Sequence, residues 1–190
     1  MFETLVIDDI VNMHVQRYLK DNIMQTAQWK FLNDVSGREI QTYPAHGFVH
    51  LMKHPELDQP AGLYSLMKHL MPAMEEALYM PVNDNTNYHN RIFLQLPLAV
   101  QYRKEHNGVH VDLPPELPHV ACVYYVNGSD GDTIIYENTV GGDTTNLVEH
   151  KRVTPKRGRV VFFDGSRYHC SSQPVVNYRC IINFDILKSV

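Results

Sequence analysis

Apolar residues recur at three- and four-residue steps twice in the first half of the chain, and in short β-rich runs through the second half. The first stretch carries Ile10, Val11, Val15, Tyr18, Leu19 and Ile23, which gives a helix one apolar face, with Asp8 or Asp9 placed to cap it. A short strand, Leu5-Val6-Ile7, precedes it. The second stretch carries Leu63, Leu66, Met67, Leu70, Met71 and Met74, with Pro60 at its start. Pro72 falls inside it and, having no N–H to donate, is expected to kink the helix or split it in two. The methionines of this stripe read as core filler, because an unbranched thioether adapts to irregular gaps.

After Pro81 the pattern changes. Asn83-Asp84-Asn85-Thr86-Asn87 is a polar loop, and β-rich runs then alternate with turn signals. The predicted strands are Arg91–Leu96, Ala99–Arg103, Val109–Asp112, Val120–Val126, Thr133–Tyr136, Asn146–Val153, Val160–Phe163 and Tyr178–Ile186. Breaks fall at Asn107-Gly108, Leu113-Pro114-Pro115, Asn127-Gly128, Gly141-Gly142, Pro155 to Gly158 and Gly165. Strands at this spacing after a helical start predict a mainly β fold with N-terminal α structure. The expected architecture is a double-stranded β-helix, or jelly roll, flanked by supporting helices. One domain over residues 1–190 is expected, with 1–85 as helical or mixed support and 86–190 as the jelly-roll core.

Composition narrows the setting. In 190 residues no apolar run approaches the roughly 18 needed to span a bilayer. The N-terminal Met1-Phe2-Glu3-Thr4 lacks the basic start and apolar stretch of a secretory signal, so a cytoplasmic location is expected. Cys122, Cys170 and Cys180 form no C-x-x-C pair and lie in apolar stretches, which argues for buried thiols rather than disulfides or a cysteine-built zinc site. Net charge is −4, and the one basic cluster, Lys151-Arg152 with Lys156-Arg157, is interrupted and reads as a solvated turn. Neither a nucleic-acid nor a membrane partner is expected.

The chemistry starts at His110-Val111-Asp112. On a strand, residues two apart point to the same face, roughly 7 Å apart along the chain, so an imidazole and a carboxylate there can share one metal ion. Roughly 0.7 such pairs are expected by chance in a chain of this composition, so the motif alone decides nothing. Further residues make it specific. Pro155-Lys-Arg-Gly158 leads into Arg159-Val-Val-Phe-Phe-Asp164, a turn at Gly165, and then His169. A second histidine arriving on a late strand can reach the first pair across a barrel mouth. Two histidines and one carboxylate make the facial set that binds iron(II) and leaves three positions open. Ten residues later Arg179 opens the last strong strand, where a guanidinium can grip a carboxylate through two parallel hydrogen bonds.

From about Ala99 to Phe184 the chain resembles the 2-oxoglutarate oxygenases of the prolyl-hydroxylase type. The resembling pieces are Val100-Gln-Tyr102, Gly108-Val-His-Val-Asp112, Ala121 to Asn127, Asp130-Gly-Asp-Thr133, Pro155 to Phe163, His169 and Tyr178-Arg179. The resemblance implies that His110, Asp112 and His169 bind iron(II) and form the catalytic centre. It implies that Arg179 pairs with the far carboxylate of 2-oxoglutarate, and that Tyr102 and Tyr125 line the co-substrate pocket. With dioxygen, such an enzyme hydroxylates a peptidyl or small-molecule substrate and converts 2-oxoglutarate to succinate.

Two other readings share the predicted strands. A cupin-type metal enzyme that does not use 2-oxoglutarate typically offers H-x-H, and here Asp112 stands where the second histidine would be. A non-catalytic jelly-roll binding module needs no metal set at all. Nucleic-acid demethylases with this fold carry a further arginine six residues past the first, at the position of Asp185 here. His119 and His150 read as unpaired surface residues, His106 as loop, and Leu113–Pro118 and Asn138–Thr145 as rim loops that select the substrate.

Overall fold

The structure is a computed structural model that describes residues 2–35, 45–55, 57–99 and 108–188. Ten strands form two antiparallel sheets. In chain order they are β1 (Leu5–Ile7), β2 (Lys30–Leu32), β3 (Gly47–Lys53), β4 (Asn87–Gln95), β5 (His119–Tyr125), β6 (Thr133–Thr139), β7 (Glu149–Val153), β8 (Val160–Asp164), β9 (Arg167–Ser171) and β10 (Arg179–Leu187). The major sheet runs β1-β8-β5-β10-β4-β3-β2 and the minor sheet β7-β6-β9. This is the double-sheet arrangement that the strand spacing predicts. The N-terminal third does more than support it, because β1, β2 and β3 extend the major sheet at both edges.

The helix α1 (Met13–Thr26) begins later than expected. Its cap is Asn12, whose Oδ1 accepts from the backbone N–H groups of His14 and Val15 at 3.0 and 3.1 Å. Asp8 is engaged elsewhere: Arg159 Nε donates to it at 2.6 Å and Lys156 Nζ at 3.0 Å. Those two cations hold its carboxyl at about 2. Asp9 stands in the left-handed region at φ 52°, ahead of the helix. The second apolar stripe is divided as Pro72 requires, into a 3₁₀ segment (Gly62–His69) and α2 (Met71–Leu78).

Both faces of the major sheet are covered, so its central strands read as continuous apolar runs. On β10, Cys180, Ile182, Phe184 and Ile186 pack beneath Leu19, Ile23, Met67, Leu70 and Met74 of the helical layer. The methionine stripe is therefore core. The alternate residues Arg179, Ile181, Asn183 and Asp185 turn inward between the sheets. There Ile181 joins Ala121, Val123, Tyr125, Ile135, Val153, Val161 and Phe163 in a second apolar cluster. All three cysteines are free and buried. Among the described residues no helix is long and apolar enough to cross a membrane.

Gly158, at the end of the Pro155 turn, has φ +80°, and a Cβ there would lie 2.4 Å from the Gln16 side chain. The left-handed backbone and the close approach of α1 both require glycine at this position. Its N–H donates to Tyr125 O and its carbonyl accepts from Ile10, tying β5 to the chain entering α1.

Sequence reading missed three strands and drew two too long, Asn146–Val153 being ordered as a strand only from Glu149. β9 contains Arg167, Tyr168, His169 and Ser171, too polar to stand out as a strand. β2 spans only 3 residues, and β3 starts on glycine. The predicted strand Val109–Asp112 reduces to one bridge, in which His110 and His169 exchange both backbone hydrogen bonds at 3.0 and 2.9 Å. Pro114 and Pro115 follow at once and cannot continue a ladder. From Val100 on, the predicted strand Ala99–Arg103 lies outside the described residues, as do Tyr102 and His106.

Candidate metal centre and its cavity

The bridge between His110 and His169 sets the site. Residues that exchange both ladder bonds stand directly opposite, with side chains on one face. The two rings lie 4.5 Å apart, and Asp112 returns to the same face two residues later. One donor atom from each of His110, Asp112 and His169 falls within 4.8 Å of the others. His169 Nε2 is 3.3 Å from Asp112 Oδ2, and His110 Nε2 is 3.9 Å from Oδ1.

Both imidazoles have their other nitrogen fixed. His110 Nδ1–H donates to Gly108 O at 2.9 Å and His169 Nδ1–H to Arg167 O at 3.3 Å. A carbonyl accepts only, so each ring carries its proton on Nδ1 and presents the Nε2 lone pair to the shared space. Phe163 packs edge-on against His169 at 4.9 Å and fixes the plane of that ring. The donor set therefore fits a divalent transition metal with open positions.

Charge is arranged to match. Burial alone would raise the Asp112 carboxyl, but Arg91, with His169 and His110, outweighs it and holds the group well below the usual carboxylate range. Desolvation of the His110 ring, and then the adjoining His169, push His110 down to about 4. An unfolded histidine titrates near 6.5, so between those values the unfolded chain binds the extra proton. The contribution of His110 to the stability of the metal-free protein is therefore expected to fall as pH drops from about 6.5 to about 4, whereas Asp185, pushed up to about 7 by burial and by Asp112, contributes in the opposite sense over the same range. Urea midpoints across that window check this. His110→Gln should gain stability relative to wild type as pH falls through that window, and parallel curves for the two proteins would assign the acid sensitivity to another group.

The donor atoms open into a cavity of about 260 Å³ between the sheets, with Arg91, Phe93, Val123, Thr133, Arg179 and Asn183 in its wall. A wider groove of about 880 Å³, between α1 and the Pro155 turn, contains none of the three donors. Arg179 is buried, and its Nη2 donates to Thr133 Oγ1 at 2.8 Å. Its Nε has no partner, and among the described residues no carboxylate lies within ion-pair distance of it. Burial lowers its pKa, yet a guanidinium stays charged under all ordinary conditions.

Tyr125 stands behind the same wall, 5.9 Å from the guanidinium by its ring centroid, and its hydroxyl donates to Thr133 Oγ1 at 2.7 Å. Burial pushes that hydroxyl up to about 12, so it stays a donor. Thr133 Oγ1 thus accepts twice, and its own proton is left for a third partner in the cavity.

Several residues of the site went unread in the sequence. Arg91 donates to Asp112 Oδ1 at 2.6 Å, and Asn183 Nδ2 donates to Oδ2 at 3.2 Å. Asn183 and Asp185 could have been found by extending the alternation from Arg179 by four and six residues. Arg91 could not, because only the pairing of β4 with β10 puts it opposite Asn183. His119 is buried rather than on the surface. Its Nδ1 donates to Leu117 O at 2.9 Å, and its Nε2 is 3.8 Å from Asp185 Oδ1. His150 is exposed but paired, with Glu137 Oε1 at 2.6 Å. Neither Leu113–Pro118 nor Asn138–Thr145 contributes to the described cavity wall, which includes Val35, Val111 and Ser171 instead.

No protein-family model and no curated protein sequence matches the chain. Solved structures match over nearly its whole length. A 2OG-Fe(II) oxygenase family oxidoreductase from Burkholderia pseudomallei superposes with a TM-score of 0.65 at 12% identity, covering 96% of this chain and 84% of that one. A prolyl hydroxylase from Trichoplax adhaerens, in complex with a hypoxia inducible factor peptide fragment, gives 0.60 at 13% identity, covering 97% and 83%. The non-haem α-ketoglutarate-dependent epimerase SnoN of nogalamycin biosynthesis gives 0.65 at 9% identity, covering 97% and 76%. The chain thus has the jelly-roll fold of the 2-oxoglutarate/iron(II) oxygenases, and its His110, Asp112 and His169 converge between the two sheets of that fold.

Proposed function

We propose that the protein is an iron(II)- and 2-oxoglutarate-dependent oxygenase that hydroxylates a peptidyl or small-molecule substrate. The observation that carries this reading is the buried Arg179 guanidinium. It has no carboxylate partner among the described residues and shares a cavity with the three converging metal donors. A buried cation without a counter-ion is costly, and a ligand carboxylate removes that cost. Neither a binding module nor a metal enzyme without an acidic co-substrate needs such a residue.

His110, Asp112 and His169 would hold the ion, and Arg179 with the Thr133 hydroxyl would take the far carboxylate of 2-oxoglutarate. When bound, the ferrous ion and keto acid supply the redox chemistry: dioxygen gives one oxygen atom to succinate, with release of carbon dioxide, and the other to a substrate carbon. The chain supplies geometry and dryness. Val123, Ile181 and Phe93 line the cavity that Arg179 shares with the donors, and their apolar surface keeps water from competing there. The free, buried cysteines accord with a reducing compartment such as the cytoplasm.

Prolyl hydroxylation and epimerisation both occur among proteins of this fold, so reaction outcome rests on the cavity rather than the fold. The class itself is tested by anaerobic titration of the apo-protein with iron(II) and then 2-oxoglutarate. The expected result is a weak visible charge-transfer band that saturates with the keto acid. Iron binding without a band would favour the cupin-type reading, and absence of metal binding would leave a binding module.

A further inference from the structure

Asp112 lies at the end of a buried polar chain that reaches across β4 and β10 of the major sheet. The register sets Asn183 of β10 against Arg91 of β4, and Asp185 of β10 against His89 of β4 and Ala121 of β5. Arg91 donates to three acceptors. Its Nη2 reaches Asp112 Oδ1 at 2.6 Å, Asn183 Oδ1 at 2.7 Å and Asp185 Oδ2 at 3.2 Å, and its Nε reaches Asn183 Oδ1 at 3.2 Å. Asp185 is in turn held by His89 Nδ1 at 3.1 Å. The Arg91 guanidinium also lies 5.7 Å from the centroid of the Phe93 ring. The side chains of Asp112 and Asp185 are 5% and 0% exposed, so these contacts are made away from water.

A carboxylate turns easily about its last torsion, and either oxygen can face a metal. Here the two oxygens are not equivalent. Oδ1 carries the short charge-assisted bond from Arg91, whereas Oδ2 has only the longer contact from Asn183 and lies 3.3 Å from His169 Nε2. Two ligands at right angles around one ion at about 2.1 Å are about 3.0 Å apart, close to the separation seen for Oδ2 and His169.

We propose that Arg91, braced by Asn183 and Asp185, is a positioning residue for Asp112: it occupies Oδ1 and so turns Oδ2 toward the ion that His110 and His169 share. This rests on the metal-site reading above and adds to it a residue outside the ligand set. Asp185 has a defined part in the arrangement. Burial and the neighbouring Asp112 push the Asp185 carboxyl up to about 7, so its part is that of a hydrogen-bond acceptor that braces Arg91 Nη2 at 3.2 Å.

Positioning and plain charge predict opposite signs, which makes the idea testable. If Arg91 acted through charge alone, its removal would strengthen binding of a dication. If it acts by orienting Asp112, removal weakens binding despite the lost repulsion. Mn(II), followed by the EPR signal of the free ion, would be titrated into wild type, Arg91→Lys and Arg91→Met, with thermal unfolding of each measured in parallel. Roughly 10- to 100-fold weaker binding is expected for Arg91→Met, the range for loss of a partner that orients a ligand. Arg91→Lys should recover part of the affinity, because an ammonium can hold Oδ1 but cannot span to Asn183 and Asp185 together. The spectrum of its bound ion should also change, a signature that a purely structural residue would not move.

A folded variant that binds Mn(II) as tightly as wild type, or more tightly, overturns the proposal. Should Arg91→Met fail to fold, Arg91→Lys decides by the same criterion. Failure of wild type itself to bind Mn(II) would instead sink the metal-site reading, and this inference with it.

Discussion

Arg179→Met is expected to leave iron(II) binding intact while raising the 2-oxoglutarate needed for half-saturation by roughly two orders of magnitude or more. Among the described residues the guanidinium is buried with its Nε unpartnered, and its one side-chain bond goes to a neutral hydroxyl, Thr133 Oγ1 at 2.8 Å. Most of its hydrogen-bonding capacity is therefore unclaimed by the described residues. A two-point contact from guanidinium to carboxylate in a water-poor cavity is among the stronger polar interactions, and methionine can make none of it.

The same substitution carries a second expectation of the opposite kind. The metal-free variant should be at least as stable as wild type, since a desolvated cation without a counter-ion is replaced by an apolar side chain of similar reach. Binding data from the anaerobic iron titration and a thermal melt of apo-protein check the two halves. Normal 2-oxoglutarate affinity in the variant would show that Arg179 is a structural cation, and a large loss of apo stability would show that its bond to Thr133 matters more than its charge.

His169→Ala is expected to weaken iron(II) binding by roughly a hundredfold or more and to remove the charge-transfer band at any practical 2-oxoglutarate concentration. The variant loses one of three donors, and the two that remain, on His110 and Asp112, belong to one short segment. The fold should survive, because the bridge to His110 is made by backbone N–H and C=O groups that alanine retains. The cavity left beside Phe163 is the main structural cost, as the ring contact at 4.9 Å disappears. Equilibrium dialysis against iron(II) under nitrogen, with circular dichroism on the same samples, reads both. A variant that kept full metal affinity would move the ion away from His169 and leave the triad without a function.

How much of this was legible in the sequence depends on how local each feature is. The His110–Asp112 pair and the inward face of β10 follow from strand alternation, which acts over two residues and needs no knowledge of the partner strand. The split of the methionine stripe follows from Pro72 alone. The cap of α1 was misread because Asp8 and Asp9 have the right chemistry. Arg159 and Lys156, 151 and 148 residues away from Asp8, claim its carboxylate and leave the cap to Asn12. Sequence distance hid the reason. β9 was hidden by its polarity. Its arginine, tyrosine and serine suit a short strand of the smaller sheet, where Arg167 donates to Tyr136 O and Glu137. His119 was misread because a histidine between Pro118 and an apolar run gives no sign of the carboxylate near it.

By itself the sequence determined the fold class, the position of the helical layer over one sheet face, and the identity of the residues able to form a metal set with an arginine nearby. Those properties rest on period, turn chemistry and residue type, which act along the chain. Only the tertiary structure decided how His110 and His169 meet, because they are joined by a single bridge that strand patterning does not announce. It alone placed Arg91 against Asp112, by a register between β4 and β10 set by the packing of both strands on the helical core. It also left Arg179 with no carboxylate within ion-pair distance among the described residues. The absence of a counter-ion is a property of the space around a charge, and no residue's own identity contains it.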